Sequence, residues 1–223
     1  MTPPNWTNCR VRGDGWMSRS DAQPTGASLG WSHGQLQYLP QWVDTNLAAQ
    51  WLGELLIQTP WAQPQLTLYG RTVAVPRQVA WYGDADAYYR YSGHTHAPLP
   101  WTPLLSEIRQ RLERQIDQPL NGVLLNLYRD GQDAMGWHSD DEAALGRDPL
   151  VVSLSLGAAR RLDFRRKGSS RIEHSIELEH GSLLVMSGST QHHWQHQIAR
   201  TRKVIAPRLN LTFRLIRNES AHE

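Results

Sequence analysis

Residues 208–215, "RLNLTFRL", alternate without a break: Leu209, Leu211, Phe213 and Leu215 on one parity, Arg208, Asn210, Thr212 and Arg214 on the other. Successive side chains of an extended chain point to opposite faces, so this is a strand with one greasy face and one polar face. An edge strand whose polar face meets water would read the same way. In a closed sandwich the polar face points inward instead, and its two guanidinium groups stay unsatisfied unless they meet an anion. A dicarboxylate would supply that anion.

Working outward, "GVLLNLY" (122–128), "LVVSLSLG" (150–157), "RLDFRR" (161–166) and "SLLVMSG" (182–188) are short runs rich in β-branched residues and leucine, separated by turns. They predict an antiparallel sandwich or jelly roll after residue 120. Two helices precede it. "DTNLAAQWLGELLIQTP" (44–60) puts Leu47, Trp51 and Leu55 on one stripe beside Leu52 and Leu56, with Asp44 or Thr45 as cap and Pro60 beyond the end. "TPLLSEIRQRLERQI" (102–116) has Thr102 as N-cap, Pro103 in the first turn, and Leu105, Ile108, Leu112 and Ile116 inward. Residues 1–35, rich in Gly, Ser, Pro and Asn, read as a poorly ordered extension. No internal repeat points to a propeller or solenoid.

The 223 residues suffice for one sizeable core. The single cysteine, Cys9, excludes a disulfide framework and a thiolate cluster. No apolar run reaches the roughly 20 residues of a membrane span, and residues 1–20 contain no continuous apolar signal region. A soluble, intracellular protein is expected. Net charge is only +2, yet "ARRLDFRRKGSSR" (159–171) sets Arg160, Arg161, Arg165, Arg166, Lys167 and Arg171 against the single acid Asp163. Such a hairpin can bind phosphates or can simply be a solvated basic face.

Chemistry concentrates in "NLYRDGQDAMGWHSDDE", residues 126–142. By itself His138-x-Asp140 means little, since ten histidines and 21 acids produce roughly one such match by chance. On an extended segment, however, His138, Asp140 and Glu142 share a face. An imidazole and a carboxylate suit a borderline divalent ion, and one more histidine completes the two-His, one-carboxylate facial triad of non-haem iron oxygenases. "STQHHWQHQIARTRK" (189–203) offers His192, His193 and His196 for that place. His94, His96, His174 and His180 have no carboxylate at comparable spacing and are expected to play ordinary roles.

Taken in order, "NLYRDGQDAMGWHSDDE", "HHWQH" (192–196) and "APRLNLTFR" (206–214) resemble the AlkB family of Fe(II)/2-oxoglutarate dioxygenases. The similarity runs from "LQYLPQW" (36–42) to "FRLI" (213–216). Through "VPRQVAWYGD" (75–84), "YRYSG" (89–93) and "HGSLLVMSG" (180–188) the sequence is most similar to the branch that repairs duplex DNA. The resemblance implies a mainly β fold with flanking helices: a double-stranded β-helix (jelly-roll) core at about 119–217, within a dioxygenase domain of 36–217. A nucleotide-recognition lid is expected at about 60–100 and a tail at 218–223.

The same resemblance implies Fe(II) held by His138, Asp140 and His196, and 2-oxoglutarate contacted by Asn126, Tyr128, Arg208, Thr212 and Arg214. Tyr89, Arg90, Tyr91, Asp141 and Glu142 fall on the substrate side, with Tyr91 stacking on the flipped base and Glu142 answering its positive charge. Tyr69, in "LTLYGRTVAVPR" (66–77), takes the place of the finger that fills the gap left by a flipped base. The implied activity is oxidative demethylation of 1-methyladenine and 3-methylcytosine, releasing formaldehyde, succinate and carbon dioxide. Alkylated DNA, single- or double-stranded, is the expected partner. The alternatives are RNA, a protein or lipid substrate, or a catalytically silent nucleic-acid-binding module. A cytoplasmic monomer, at the nucleoid if bacterial and away from membranes, completes the expectation.

Overall fold

The fold is that of a computed structural model, which describes residues 27–28, 33–68, 70–91, 94–203 and 206–217, with only the backbone described at 27–28, 66–68, 89–91 and 94–96. Residues 1–26, Tyr69, the side chains of Tyr89, Arg90 and Tyr91, and the tail 218–223 lie outside it.

In chain order the strands are β1 (Ala27–Ser28), β2 (Gln35–Leu39), β3 (Gln65–Leu68), β4 (Arg71–Ala74), β5 (Gln78–Gly83), β6 (Tyr89–Tyr91), β7 (His94–His96) and β8 (Gly122–Tyr128). They continue with β9 (Met135–His138), β10 (Val151–Gly157), β11 (Arg160–Arg166), β12 (His174–Leu178), β13 (Ser182–Ser187), β14 (Trp194–Ile198) and β15 (Arg208–Arg214). A seven-stranded sheet has the order β1-β2-β13-β10-β15-β8-β5, and a four-stranded sheet the order β12-β11-β14-β9. Every pair in both sheets is antiparallel, and non-consecutive strands sit side by side, as in a jelly roll. The ribbons β3–β4 and β6–β7 stand apart from both sheets.

Helices α1 (Thr45–Gln58) and α2 (Pro103–Ile116) have the caps that the sequence predicts: Asp44 accepts from the backbone of Asn46 and Leu47, and Thr102 from that of Leu105. Their apolar stripes, centred on Trp51 and Leu55 in α1 and on Leu105, Ile108 and Leu112 in α2, cover the outer face of the large sheet. That face is Val123 and Leu125 from β8, Val152, Leu154 and Leu156 from β10, and Leu209, Leu211 and Phe213 from β15. The period-2 code of β15 therefore resolves in favour of the closed sandwich: its greasy parity meets helices, and Arg208, Asn210, Thr212 and Arg214 are buried between the sheets. A second apolar cluster, including Phe164, Leu184, Met186, Trp194 and Ile198, fills the rest of the gap between sheets.

Two arrivals were not legible. β2 and β1 extend the large sheet beyond β13, so the segment just before residue 40 is part of the core wall. Gly157, at φ +90°, ends β10 where a Cβ would stand 2.4 Å from the Pro207 carbonyl oxygen, which lets the start of β15 pack closely. Among the described residues, no helix is long and apolar enough to cross a membrane.

Candidate metal centre and cosubstrate pocket

Strands β9 and β14 pair with His138 opposite His196, and a register shift follows His196. The two rings adjoin, tilted by 58° with centroids 4.2 Å apart. Alternation along one strand was expected to bring His138, Asp140 and Glu142 together, but β9 stops at His138 and Asp140 lies on the loop beyond it. Convergence has another cause. The loop is tied across to the β14 side: Ser139 Oγ donates to the Trp194 carbonyl at 2.8 Å, and the Asp140 N–H to Gln191 Oε1 at 2.9 Å. One donor atom each from His138, Asp140 and His196 then lies within 4.8 Å of the others. Glu142 is not among the converging ligands and stands at the N-cap position of a short 3₁₀ turn, Ala143–Leu145.

Each of the three side chains is prepared for a cation. His138 Nδ1 is 2.9 Å from the Gly136 carbonyl, which can only accept, so Nδ1 carries the proton and Nε2 offers its lone pair. Burial, helped by His138, pushes His196 down to about 3, which leaves the imidazole neutral at physiological pH. Burial would raise the Asp140 carboxyl, but Arg214 and the two histidines outweigh it and hold it at about 2. The 3.6 Å approach of His196 Nε2 to Asp140 Oδ2 is therefore not an ion pair at neutral pH; two ligand atoms converge there. Arg214 Nη2 donates to Asp140 Oδ1 at 2.5 Å, leaving Oδ2 on the histidine side. Two imidazole rings turned to one point, that of His196 neutral, and an ionised carboxylate match the donor set of a borderline divalent ion such as Fe(II).

The polar wall of the large sheet continues inward from this centre. Asn126 and Tyr128 of β8, Ser153 and Ser155 of β10, and the even-numbered residues of β15 share one face, as the register Asn126↔Asn210 and Tyr128↔Arg208 requires. Asn126 accepts from Arg77 Nε at 2.9 Å, and Thr212, Asn210 and Ser153 form a hydrogen-bonded chain. Arg208 is buried, 2% exposed, its guanidinium 5.1 Å from the Tyr128 ring centroid. Nη2 donates to Ser155 Oγ, whereas Nε and Nη1 are buried without a partner. Burial lowers Arg208 to about 10, so it stays charged. The two arginines thus occupy opposite ends of β15: Arg214 braces a carboxylate of the protein, and Arg208 faces a cavity with unused donors. A cosubstrate carboxylate fits those donors.

Of the later histidines, only His196 enters the centre. His192 lies 3.2 Å from Asp148, and His193 packs on His33 with centroids 4.8 Å apart. Asp141, on the exposed side of the loop, pairs with Lys167 at 2.7 Å. The basic hairpin is less free than its composition suggests. Arg160 is buried and donates to the carbonyls of Asp130, Asp133 and Ala199; Arg161 pairs with Asp163; Arg165 lies over Trp137; Arg166 lies over Trp194. Sequence reasoning assigned no role to Arg77 or Gln191, both buried polar residues beside the site. A long polar side chain within an otherwise apolar stretch was the available signal for Arg77; nothing local marked Gln191.

The sequence signature of the 2OG-Fe(II) oxygenase superfamily matches residues 35–214. The chain is 39% identical over 203 residues to the human alpha-ketoglutarate-dependent dioxygenase alkB homolog 3, covering 86% of this chain and 68% of that protein. It is 42% identical over 163 residues to the Bos taurus DNA oxidative demethylase ALKBH2, covering 70% of this chain but only 58% of that protein. The solved structure of OsALKBH1 superposes with a TM-score of 0.56 at 17% identity, over 80% of this chain and 97% of that one, a likeness of fold. The jelly roll, the two-histidine, one-carboxylate cluster and these relatives agree: the chain belongs to the 2OG-Fe(II) oxygenase superfamily, within its AlkB family.

Proposed function

We propose that this protein repairs DNA by oxidative demethylation of N-alkylated bases, 1-methyladenine and 3-methylcytosine among them, using Fe(II), dioxygen and 2-oxoglutarate. The observation that carries the reading is the conjunction of the His138–Asp140–His196 cluster with the orphaned donors of Arg208 in the adjoining cavity. Similarity to a DNA oxidative demethylase supports the substrate class.

In this reading His138 Nε2, an oxygen of Asp140 and His196 hold the iron. Arg208 takes a carboxylate of 2-oxoglutarate, with Asn126, Tyr128 and Thr212 lining the same wall. Bound there, iron with 2-oxoglutarate and dioxygen supplies the oxidising power to hydroxylate an N-methyl carbon, and the hydroxymethyl product releases formaldehyde. The chain's own residues do the positioning. Gly136 fixes the His138 tautomer, Arg214 keeps Asp140 ionised, and Arg77 fixes the Asn126 amide. Leu184, Met186 and Ile198 give the cavity apolar walls.

The ribbons β3–β4 and β6–β7, within about 60–100, form the nucleotide-recognition lid, with Tyr69 as finger, Tyr91 as stacking platform, and Tyr89, Arg90, Asp141 and Glu142 around the base. The protein acts as a monomer in the compartment that holds the DNA: the cytoplasm, at the nucleoid if bacterial. The test is mass spectrometry of methylated single-stranded DNA, duplex DNA and RNA incubated with Fe(II), 2-oxoglutarate and ascorbate. Loss of the methyl group from the DNA substrates is expected; loss from RNA alone would overturn the DNA assignment.

A further inference from the structure

We infer that Gln191 is a positioning residue for the metal centre: its side chain, held from the far side of the sandwich, sets where the Asp140 carboxylate stands. The inference rests on the reading of His138, Asp140 and His196 as metal ligands. Asp140 is unlike the other two in having no strand beneath it. Arg214 grips one carboxylate oxygen, but a guanidinium on that oxygen leaves the backbone free to swing about it. Beside the Ser139 Oγ bond to the Trp194 carbonyl, what fixes the backbone at the ligand itself is the Asp140 N–H, donating to Gln191 Oε1 at 2.9 Å in a buried setting.

Gln191 is itself fully buried, at 0% exposure, and its Nε2 lies 3.5 Å from Met186 Sδ on β13. The backbone donor demands the amide oxygen and the thioether tolerates the amide nitrogen, so the orientation is determined. The turn that carries it is pinned to the large sheet as well. Thr190 Oγ1 donates to Ser187 or Gln35 carbonyl oxygens, 2.6 and 3.1 Å away, and accepts the Gln35 N–H at 2.9 Å. Gln191 thus bridges the large sheet to the carboxylate loop five residues before the distal histidine. Removal of the acceptor strands a buried N–H next to a ligand, and losing such outer partners typically weakens metal binding roughly 10- to 100-fold.

The experiment uses the full chain and Mn(II) ions alone, titrated calorimetrically, with melting temperature measured in parallel. Gln191→Met keeps length and packing but removes the acceptor. Gln191→Glu restores an acceptor. Ile108→Ala, in the helix layer on the outer face of the large sheet, lowers stability without touching the turn or Asp140, and His138→Ala removes a ligand. Expected are a loss of Mn(II) affinity of roughly 10- to 100-fold in Gln191→Met, affinity equal to or above the original in Gln191→Glu, and unchanged affinity in Ile108→Ala despite a lower melting temperature. Unchanged affinity in Gln191→Met, or an equal loss in Ile108→Ala at equal loss of melting temperature, overturns the inference while the metal centre stands. If the unmutated chain and His138→Ala bind Mn(II) alike, the metal reading itself falls and takes the inference with it.

Discussion

Replacing Arg208 with methionine separates a cosubstrate anchor from a structural arginine, because the two roles predict opposite balances of stability and affinity. Arg208 is buried, charged, and has two nitrogens without partners, so the ligand-free fold carries an unrepaid desolvation cost. Methionine removes that cost and loses the hydrogen bond to Ser155, about 1 kcal/mol, with the contact to Tyr128 offset by the relief of desolvation. The ligand-free melting temperature should therefore fall by no more than about 3 °C for a chain of this size. Affinity for 2-oxoglutarate should suffer far more. Two charge-assisted hydrogen bonds at the low end of their range are together worth about 3 kcal/mol, a rise in Kd of roughly 150-fold.

A thermal-shift titration with Mn(II) present reads both effects. At a 2-oxoglutarate concentration 100 times the original Kd, the unmutated protein gains about 2.7 kcal/mol, on the order of 5 to 10 °C. The variant at that concentration gains about 0.3 kcal/mol, under about 1 °C. A variant that keeps the full ligand-induced shift, or that melts much lower on its own with Kd unchanged, would refute the anchor.

Further outcomes follow from the same geometry. His138→Ala, Asp140→Ala and His196→Ala should each abolish turnover even with excess iron, whereas His192→Ala and His193→Ala, whose side chains face Asp148 and His33, should keep most of it; succinate release checks this. Tyr69→Ala should reduce repair of duplex DNA and spare single strands, and Tyr91→Ala should impair both; repair rates measured with melting temperature distinguish this from a packing loss, which would be equal on the two substrates. Burial would raise the Asp133 carboxyl, but the hydrogen bonds and charge of Arg129, with the charge of Arg160, hold it below its ordinary value. A depressed folded pKa contributes stability that is present above the ordinary value of about 4 and is lost as pH falls through the folded one. Asp133→Asn should therefore melt lower at pH 7 and show a flatter decline in acid, as pH-dependent calorimetry would reveal.

How far the sequence reaches depends on how local the signal is. The parity of β15 and the caps of α1 and α2 are matters of neighbouring residues, and those elements stand where the patterns put them. The place of β2 beside β13 depends on pairing with residues some 150 positions away, which no local pattern encodes. His138 and Asp140 converge, but not by the strand alternation that the sequence suggests, because Asp140 lies on a loop; Gln191 and Ser139 produce the convergence. The basic hairpin misled for a related reason. Composition counts charges, and most of these are spent on carbonyls, Asp163 and tryptophan faces. The unequal roles of Arg208 and Arg214 became visible only when their partners did.

The central claim is that oxidation of 2-oxoglutarate at this centre is coupled to removal of a methyl group from a DNA base. Its most direct test is the stoichiometry of succinate, formaldehyde and repaired base in one reaction on a single-stranded oligonucleotide containing 1-methyladenine, for the unmutated protein and for His138→Ala. Equal yields of the three products from the unmutated protein, and none from the variant, are predicted. Succinate without formaldehyde and repaired base, or repair that persists in His138→Ala, would contradict it.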